Sequence, residues 1–116
     1  MARTVLIVDD HADFRGFARR VLEADGYEVV GEAGDGESAI AAALALAPDV
    51  VLLDVHLPDG DGFSVCERIA GGAAVVMTSS RAAASLQGRL EASSARGFIA
   101  KAELSGAGIA ALTAPA

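Results

Sequence analysis

One cysteine, no tryptophan and a shortage of basic residues set the first limits on this 116-residue chain. Cys66 alone forms neither an internal disulfide nor a cysteine metal cage, and at an apolar helical position it is expected to pack as a small hydrophobe. Aromatic residues make up 4% of the chain, so the core must be aliphatic and nucleic-acid bases find few platforms to stack on. Nine basic residues against sixteen acidic ones give a net charge of −7. That field repels phosphate backbones and anionic lipid, which argues against direct nucleic-acid binding and against membrane attachment. The longest apolar run, Ala39 to Ala47, has nine residues. It falls short of the ~20 that cross a bilayer. The N-terminal MARTVLIVDD reads as a strand entering a turn rather than a signal peptide, leaving the cytoplasm as the default compartment.

What is present is alternation. TVLIV (4–8) is an apolar run of strand length, suited to a parallel strand covered on both faces. Phe14, Phe17, Ala18, Val21 and Leu22 then recur with helical spacing, until Asp25-Gly26 stops the helix. A second strand, 28–33, is weakened by Gly31. Asp35 is placed to cap a helix whose inner face carries Ala39, Ile40, Ala43, Leu44 and Ala47, and Pro48 ends it. VVLL (50–53) is a third strand, followed by a short helix with Phe63, Cys66 and Ile69, capped by Asp61. AAVVM (73–77) and GFIA (97–100) complete five strands. The Ala/Ser-rich segment 81–96 between them predicts only a marginal helix, and a last helix falls within 105–113. Five β-α units in succession imply one domain, with a parallel sheet, right-handed crossovers and helices on both faces.

In such a sheet a ligand site lies outside the carboxyl ends of the strands. Those ends carry Asp9-Asp10, Asp54, Thr78 and Lys101. Each has a bland reading when taken alone: a turn pair, a paired buried acid, a strand-end hydroxyl, a surface charge. Together they raise an electrostatic problem, because two carboxylates ~4 Å apart repel by about 4 kcal/mol at an effective dielectric near 20. Lys101 supplies one compensating charge, and a hard divalent ion such as Mg²⁺ supplies more. With that compensation Asp54 can act as a nucleophile toward phosphorus, and the Thr78 hydroxyl can donate to the transferred group.

The motifs LIVDDH (6–11), VVLLDVHLPDGDGF (50–63), VVMTSS (75–80) and GFIAKAEL (97–104) resemble the receiver domain of two-component response regulators over essentially the whole chain. The resemblance implies a flavodoxin-like, doubly wound α/β fold with five parallel strands in the order 2-1-3-4-5. It further implies a single receiver domain over 1–116 with no effector domain in this chain. Asp54 would be the phosphoacceptor, served by a sensor histidine kinase or a phosphotransfer protein. Asp9, Asp10, Asp54 and the backbone carbonyl of His56 would hold Mg²⁺. Thr78 and Lys101 would contact the phosphoryl group, and Phe98 would be the switch aromatic. The His56 and Ser80 side chains sit where they can tune loss of the phosphoryl group. The 81–112 face would carry the output, with a homodimer as one use of it.

The chain departs from the family pattern at Ala102, where proline commonly follows the lysine. A trans Lys101–Ala102 peptide is therefore expected, because a cis bond without proline costs ~2.5–4 kcal/mol. Two rival readings are a Mg²⁺-dependent phosphohydrolase of haloacid dehalogenase type and a phosphorylation-independent adaptor. The first wants a second aspartate where this chain has His56; the second leaves the acid pair, nucleophile, hydroxyl and lysine unexplained. His11 and His56 lack the ligand spacing of a zinc site. Phe14 and Phe17 are expected only to pack.

Overall fold

The computed structural model describes residues 2–80 and 86–114. Apolar runs of strand length become β1 (Thr4–Val8), β2 (Glu28–Ala33) and β3 (Val50–Asp54); β4 (His56–Leu57) and β5 (Gly60–Asp61) form a small hairpin; β6 (Ala74–Ser79) and β7 (Gly97–Ala100) follow. The five longer strands pair in parallel in the order β2-β1-β3-β6-β7, which is 2-1-3-4-5 when the hairpin is set aside. The helices are α1 (Ala12–Ala24), α2 (Gly36–Leu46), α3 (Gly62–Ile69), α4 (Gln87–Ala92) and α5 (Gly106–Thr113).

Strand alternation sorts the core into two layers. Leu6, Val8, Val51, Leu53, Val75 and Met77 face α2, α3 and Leu86, while Val5, Ile7, Val50, Leu52, Val76 and Ile99 face α1 and α5. The central strand β3 is buried along its whole length, including its terminal carboxylate. Cys66 is buried in the first layer, and desolvation, followed by the Glu67 charge, pushes its thiol up to about 11.

Helix starts follow the sequence signals. Asp35 accepts from the Ser38 backbone N–H at 2.8 Å and Asp61 from that of Phe63 at 2.8 Å. Asp59 adds a distant cap to α2, accepting from the backbone N–H groups of Gly36 and Glu37. The Lys101–Ala102 peptide is trans, as expected.

Three expectations need correction. Leu44, assigned to the inner face of α2, is 81% exposed, and Ala47 lies outside the helix in a left-handed conformation. Because α2 is apolar on every side, its pattern carried no phase; buried Ala39, with half-buried Ile40 and Ala43, faces the core, and Leu44 sits about 140° around the axis from Ala39. Phe17 is 44% exposed and flanks its stripe rather than joining the core. β6 starts at Ala74 and continues through Thr78 to Ser79, beyond the 73–77 read from sequence. The marginal helix within 81–96 is the six-residue α4; residues 81–85 lie outside the described residues.

Leu44→Gln is therefore expected to change unfolding free energy by less than about 0.5 kcal/mol. Leu52→Ala in the central strand should cost ~2–5 kcal/mol. Urea denaturation of the two variants checks the placement of both side chains.

Candidate functional site

Parallel pairing brings the carboxyl ends of β1, β3, β6 and β7 to one rim. Asp9 follows β1 with its side chain fully buried, Asp54 ends β3 at 4% exposure, and Lys101 begins a 3₁₀ turn directly after β7. The Lys101 Nζ lies 2.6 Å from Asp9 Oδ2 and 3.3 Å from Asp54 Oδ2. It also sits 4.6 Å from the centre of the Phe14 ring, so this aromatic supports the ammonium as well as packing in the core. The other Asp54 oxygen accepts from the His56 backbone N–H at 3.1 Å. Asp9 Oδ1 accepts from the His11 backbone N–H at 2.8 Å, and the Arg15 guanidinium donates to the Asp9 carbonyl.

These contacts separate the two buried acids. Burial alone raises the Asp9 carboxyl, but the Lys101 ammonium and the His11 N–H outweigh it and hold it below its ordinary value. Asp54 is held above its ordinary value, first by desolvation and then by the neighbouring Asp9 charge, against the opposing His56 N–H and Lys101. For Lys101 burial works downward, but the two carboxylates prevail and raise it. One ammonium thus serves two buried carboxylates, with the more exposed Asp10 beside them.

The segment after Asp54 folds back over the strand end. Gly62 donates to the Val55 carbonyl at 2.8 Å, and Val55 donates to that of Thr78 at 3.0 Å. A Cβ on Gly62 would lie 2.1 Å from the Asp54 carbonyl oxygen. Only glycine permits that approach, and it presses the β4–β5 hairpin against the acidic rim. Asp10, His11, Asp54, His56, Ser79, Ser80 and Lys101 line the resulting open pocket of about 210 Å³.

The hydroxyl expected from Thr78 is elsewhere. Thr78 is buried and donates to the Ile99 carbonyl at 2.7 Å, toward β7, whereas Ser79 and Ser80 reach the pocket. The cause is strand alternation. Thr78 pairs with Ile99, and Ser79 follows Val75 and Met77 onto the opposite face, which Phe98 shares through its pairing with Met77. Counting by twos along VVMTSS from the apolar core would have selected Ser79 in the sequence. Phe98 packs half-buried against that same layer.

The family model described as the response regulator receiver domain matches residues 5–112. The chain belongs to the response regulator receiver domain family. Like other receiver domains it has solved relatives of the same fold. The signal receiver domain of the response regulator NarL from Mycobacterium tuberculosis is 30% identical, with a TM-score of 0.83 and 98% of each chain covered. CheY in the CheX-CheY-BeF3-Mg²⁺ complex from Borrelia burgdorferi gives 27% identity and a TM-score of 0.82, over 95% of this chain and 85% of that one. A protein-glutamate methylesterase/protein-glutamine glutaminase of Anaeromyxobacter dehalogenans is 50% identical over 66 residues, which is 56% of this chain and 19% of that protein. The receiver chain thus spans about a fifth of that relative's length.

Receiver domains generally bind Mg²⁺, and the residues present here suit such an ion. Asp9, Asp10, His11 and Asp54 each present one donor atom within 4.8 Å of the others. The buried Asp9 carboxylate shares the single Lys101 ammonium with Asp54, which lies beside it. A site with surplus buried negative charge and oxygen donors fits a hard divalent cation.

Gly62→Ala is expected to cost ~3 kcal/mol or more, because the clash is with backbone and neither partner can yield cheaply. A denaturation midpoint within error of the parent protein would show that the hairpin is not pressed against Asp54.

Proposed function

We propose that this receiver domain is a phosphorylation-controlled switch that takes a phosphoryl group on Asp54. The observation that carries this reading is the setting of that one side chain. It is buried at the end of the central strand, with one oxygen held by the His56 N–H and the other facing the Lys101 ammonium. A donor histidine kinase or phosphotransfer protein presents a phosphohistidine. An Asp54 carboxylate oxygen attacks its phosphorus, the O–P bond forms as the P–N bond breaks, and the electron pair leaves with the imidazole nitrogen. Asp9, Asp10, Asp54 and the His56 carbonyl are the residues that would hold Mg²⁺, which supplies neutralisation of the phosphoryl oxygens. Lys101 releases part of its hold on Asp54 to pair with the incoming group.

Ser79 takes the role expected of Thr78. Its place on the pocket rim, on the face that also holds Phe98, supports it as the hydroxyl that senses the phosphoryl group. Phe98 then passes the change to the half-buried layer beneath α4. His56 and Ser80 stand at the pocket mouth, where their side chains would tune attack by water. The output surface is the 86–112 part of the 81–112 face, through an effector partner or a second copy of the chain. The domain carries out only its own phosphoryl transfer and loss, in the cytoplasm, without binding nucleic acid. No helix among the described residues is long and apolar enough to cross a membrane.

With Mg²⁺ and acetyl phosphate, intact mass is expected to show one added phosphoryl group, and none in Asp54→Asn. Uptake by Asp54→Asn at the parent rate would discard the assigned nucleophile. Ser79→Ala should still be phosphorylated but lose the phosphorylation-dependent change in hydrogen exchange over 86–104, whereas Thr78→Val keeps it. The reverse pattern would return the sensing role to Thr78.

A further inference from the structure

Away from the strand-end rim, α2 and α3 enclose an open trough. Two hollows of about 490 and 380 Å³ adjoin along it and share Ile40 and Arg68. One end is apolar, walled by Ala43 and Leu44 of α2 and Ile69 of α3. Gly71 and Gly72 keep its edge low, since a Cβ added to either would meet no atom within 4 Å. Three large hydrophobic residues are exposed among the described residues. Phe17 leans on the Phe14 ring, and Leu46 fills the space beside Gly31 on β2. Leu44, 81% exposed, instead lines the trough and has most of its surface in water. The other end is charged, with exposed Glu37 from α2 and exposed Asp59 from the turn of the β4–β5 hairpin. Asp61 lies there too but is paired to Arg89. Arg68, at the junction of the two hollows, has no carboxylate partner among the described residues. Glu37 and Leu44 are seven residues apart, so they rise from nearly the same side of α2 about 10 Å apart along its axis.

We propose that this trough is a docking surface for an amphipathic helix of a partner protein. Its apolar face seats on Leu44 and Ile69, its basic side chains meet Glu37 and Asp59, and a carboxylate between them pairs with Arg68. Shape and charge complementarity select that occupant. A groove between two helices accepts the side-chain ridge of a third, and the small residues along it let the backbones come close. An extended strand gains little, because α2 and α3 offer no unpaired backbone edge. Anionic lipid is repelled by the acidic end and by the net charge of −7. A second copy of the chain would bring a further −7 against the same face, whereas a basic segment is drawn to it. The trough shares no lining residue with the pocket around Asp54, and none of its residues belongs to the 86–112 face. It is a further surface, and its occupation does not depend on phosphorylation of Asp54.

The test uses the full chain and a synthetic helical peptide of about fourteen residues, with leucines at helical spacing along one face, lysines at one end and a glutamate midway. Fluorescence anisotropy measures affinity and amide chemical shifts locate the contact. Saturable binding is expected, with shifts confined to α2, α3 and the hairpin turn. Leu44→Gln, an exposed change expected to leave folding intact, should weaken binding at least about tenfold, whereas Leu44→Met should keep it within about threefold. Glu37→Lys should weaken the lysine peptide and strengthen a version whose lysines are glutamates. A scrambled peptide of the same composition, with no apolar face, should not bind. Absence of saturable binding, equal binding of the scrambled peptide, or shifts centred on α1 or on 86–112 overturns the proposal. So does undiminished binding by Leu44→Gln. If the parent protein self-associates in sedimentation and Leu44→Gln is monomeric, a second copy covers the trough and the partner helix is discarded.

Discussion

Burial of two carboxylates beside a single ammonium is the constraint around which this fold is organised. Asp9 and Asp54 are carried out of water by the strands that precede them, and Lys101 is the one side chain among the described residues ion-paired to both. Removing charge from water costs several kcal/mol per ion unless it is paired, and one cation cannot fully pair two anions. The resulting imbalance raises Asp54 while Asp9 stays low, so the two acids differ although they share a rim. A site left short of positive charge has a standing affinity for a cation. Once that cation is bound, it also suits the arrival of a phosphoryl group.

The rest of the molecule holds this imbalance in place. The apolar length of β3 fixes Asp54, Gly62 lets the hairpin close against it, and Phe14 supports Lys101 from α1. The face beyond the pocket is held differently. Although Leu86 is buried in the core layer, α4 itself has six residues with no buried one among them, and polar contacts tether it. Arg89 pairs with Asp61 and lies 4.5 Å over the Phe63 ring, while Ser94 binds Glu67. Polar surface tethers are individually weak, so this part of the fold can shift at lower cost than the sheet. A rigid charge site next to a loosely held face is the arrangement that a switch requires.

Much of this was legible in the sequence because strand burial and strand-end chemistry leave direct marks. Unbroken runs such as TVLIV and VVLL announced covered parallel strands, and the acidic and basic residues immediately after them announced the rim. Caps at Asp35 and Asp61 were equally plain. Phase was harder to read. α2 is apolar all round, so nothing in its pattern distinguished Ala43 from Leu44. In VVMTSS two adjacent hydroxyls competed, and the alternation that turns Thr78 toward Ile99 and Ser79 toward the pocket depends on where β6 ends. Long-range contacts such as Lys101 over Phe14, or Asp59 capping α2, have no local signature at all.

The most direct test of the charge imbalance is the stability of metal-free protein with and without the Asp54 charge. Because the folded protein holds Asp54 above its ordinary range, its ionisation at neutral pH opposes folding. The stabilising contribution of the protonated form is complete below the unfolded value and is lost as pH rises through the raised folded one. Asn is nearly isosteric and keeps an oxygen to accept from the His56 N–H. In chelator at neutral pH, denaturant unfolding should therefore find Asp54→Asn more stable than the parent, with the gap narrowing as pH falls toward the carboxylate range. An Asn variant of equal or lower stability at neutral pH would contradict the account.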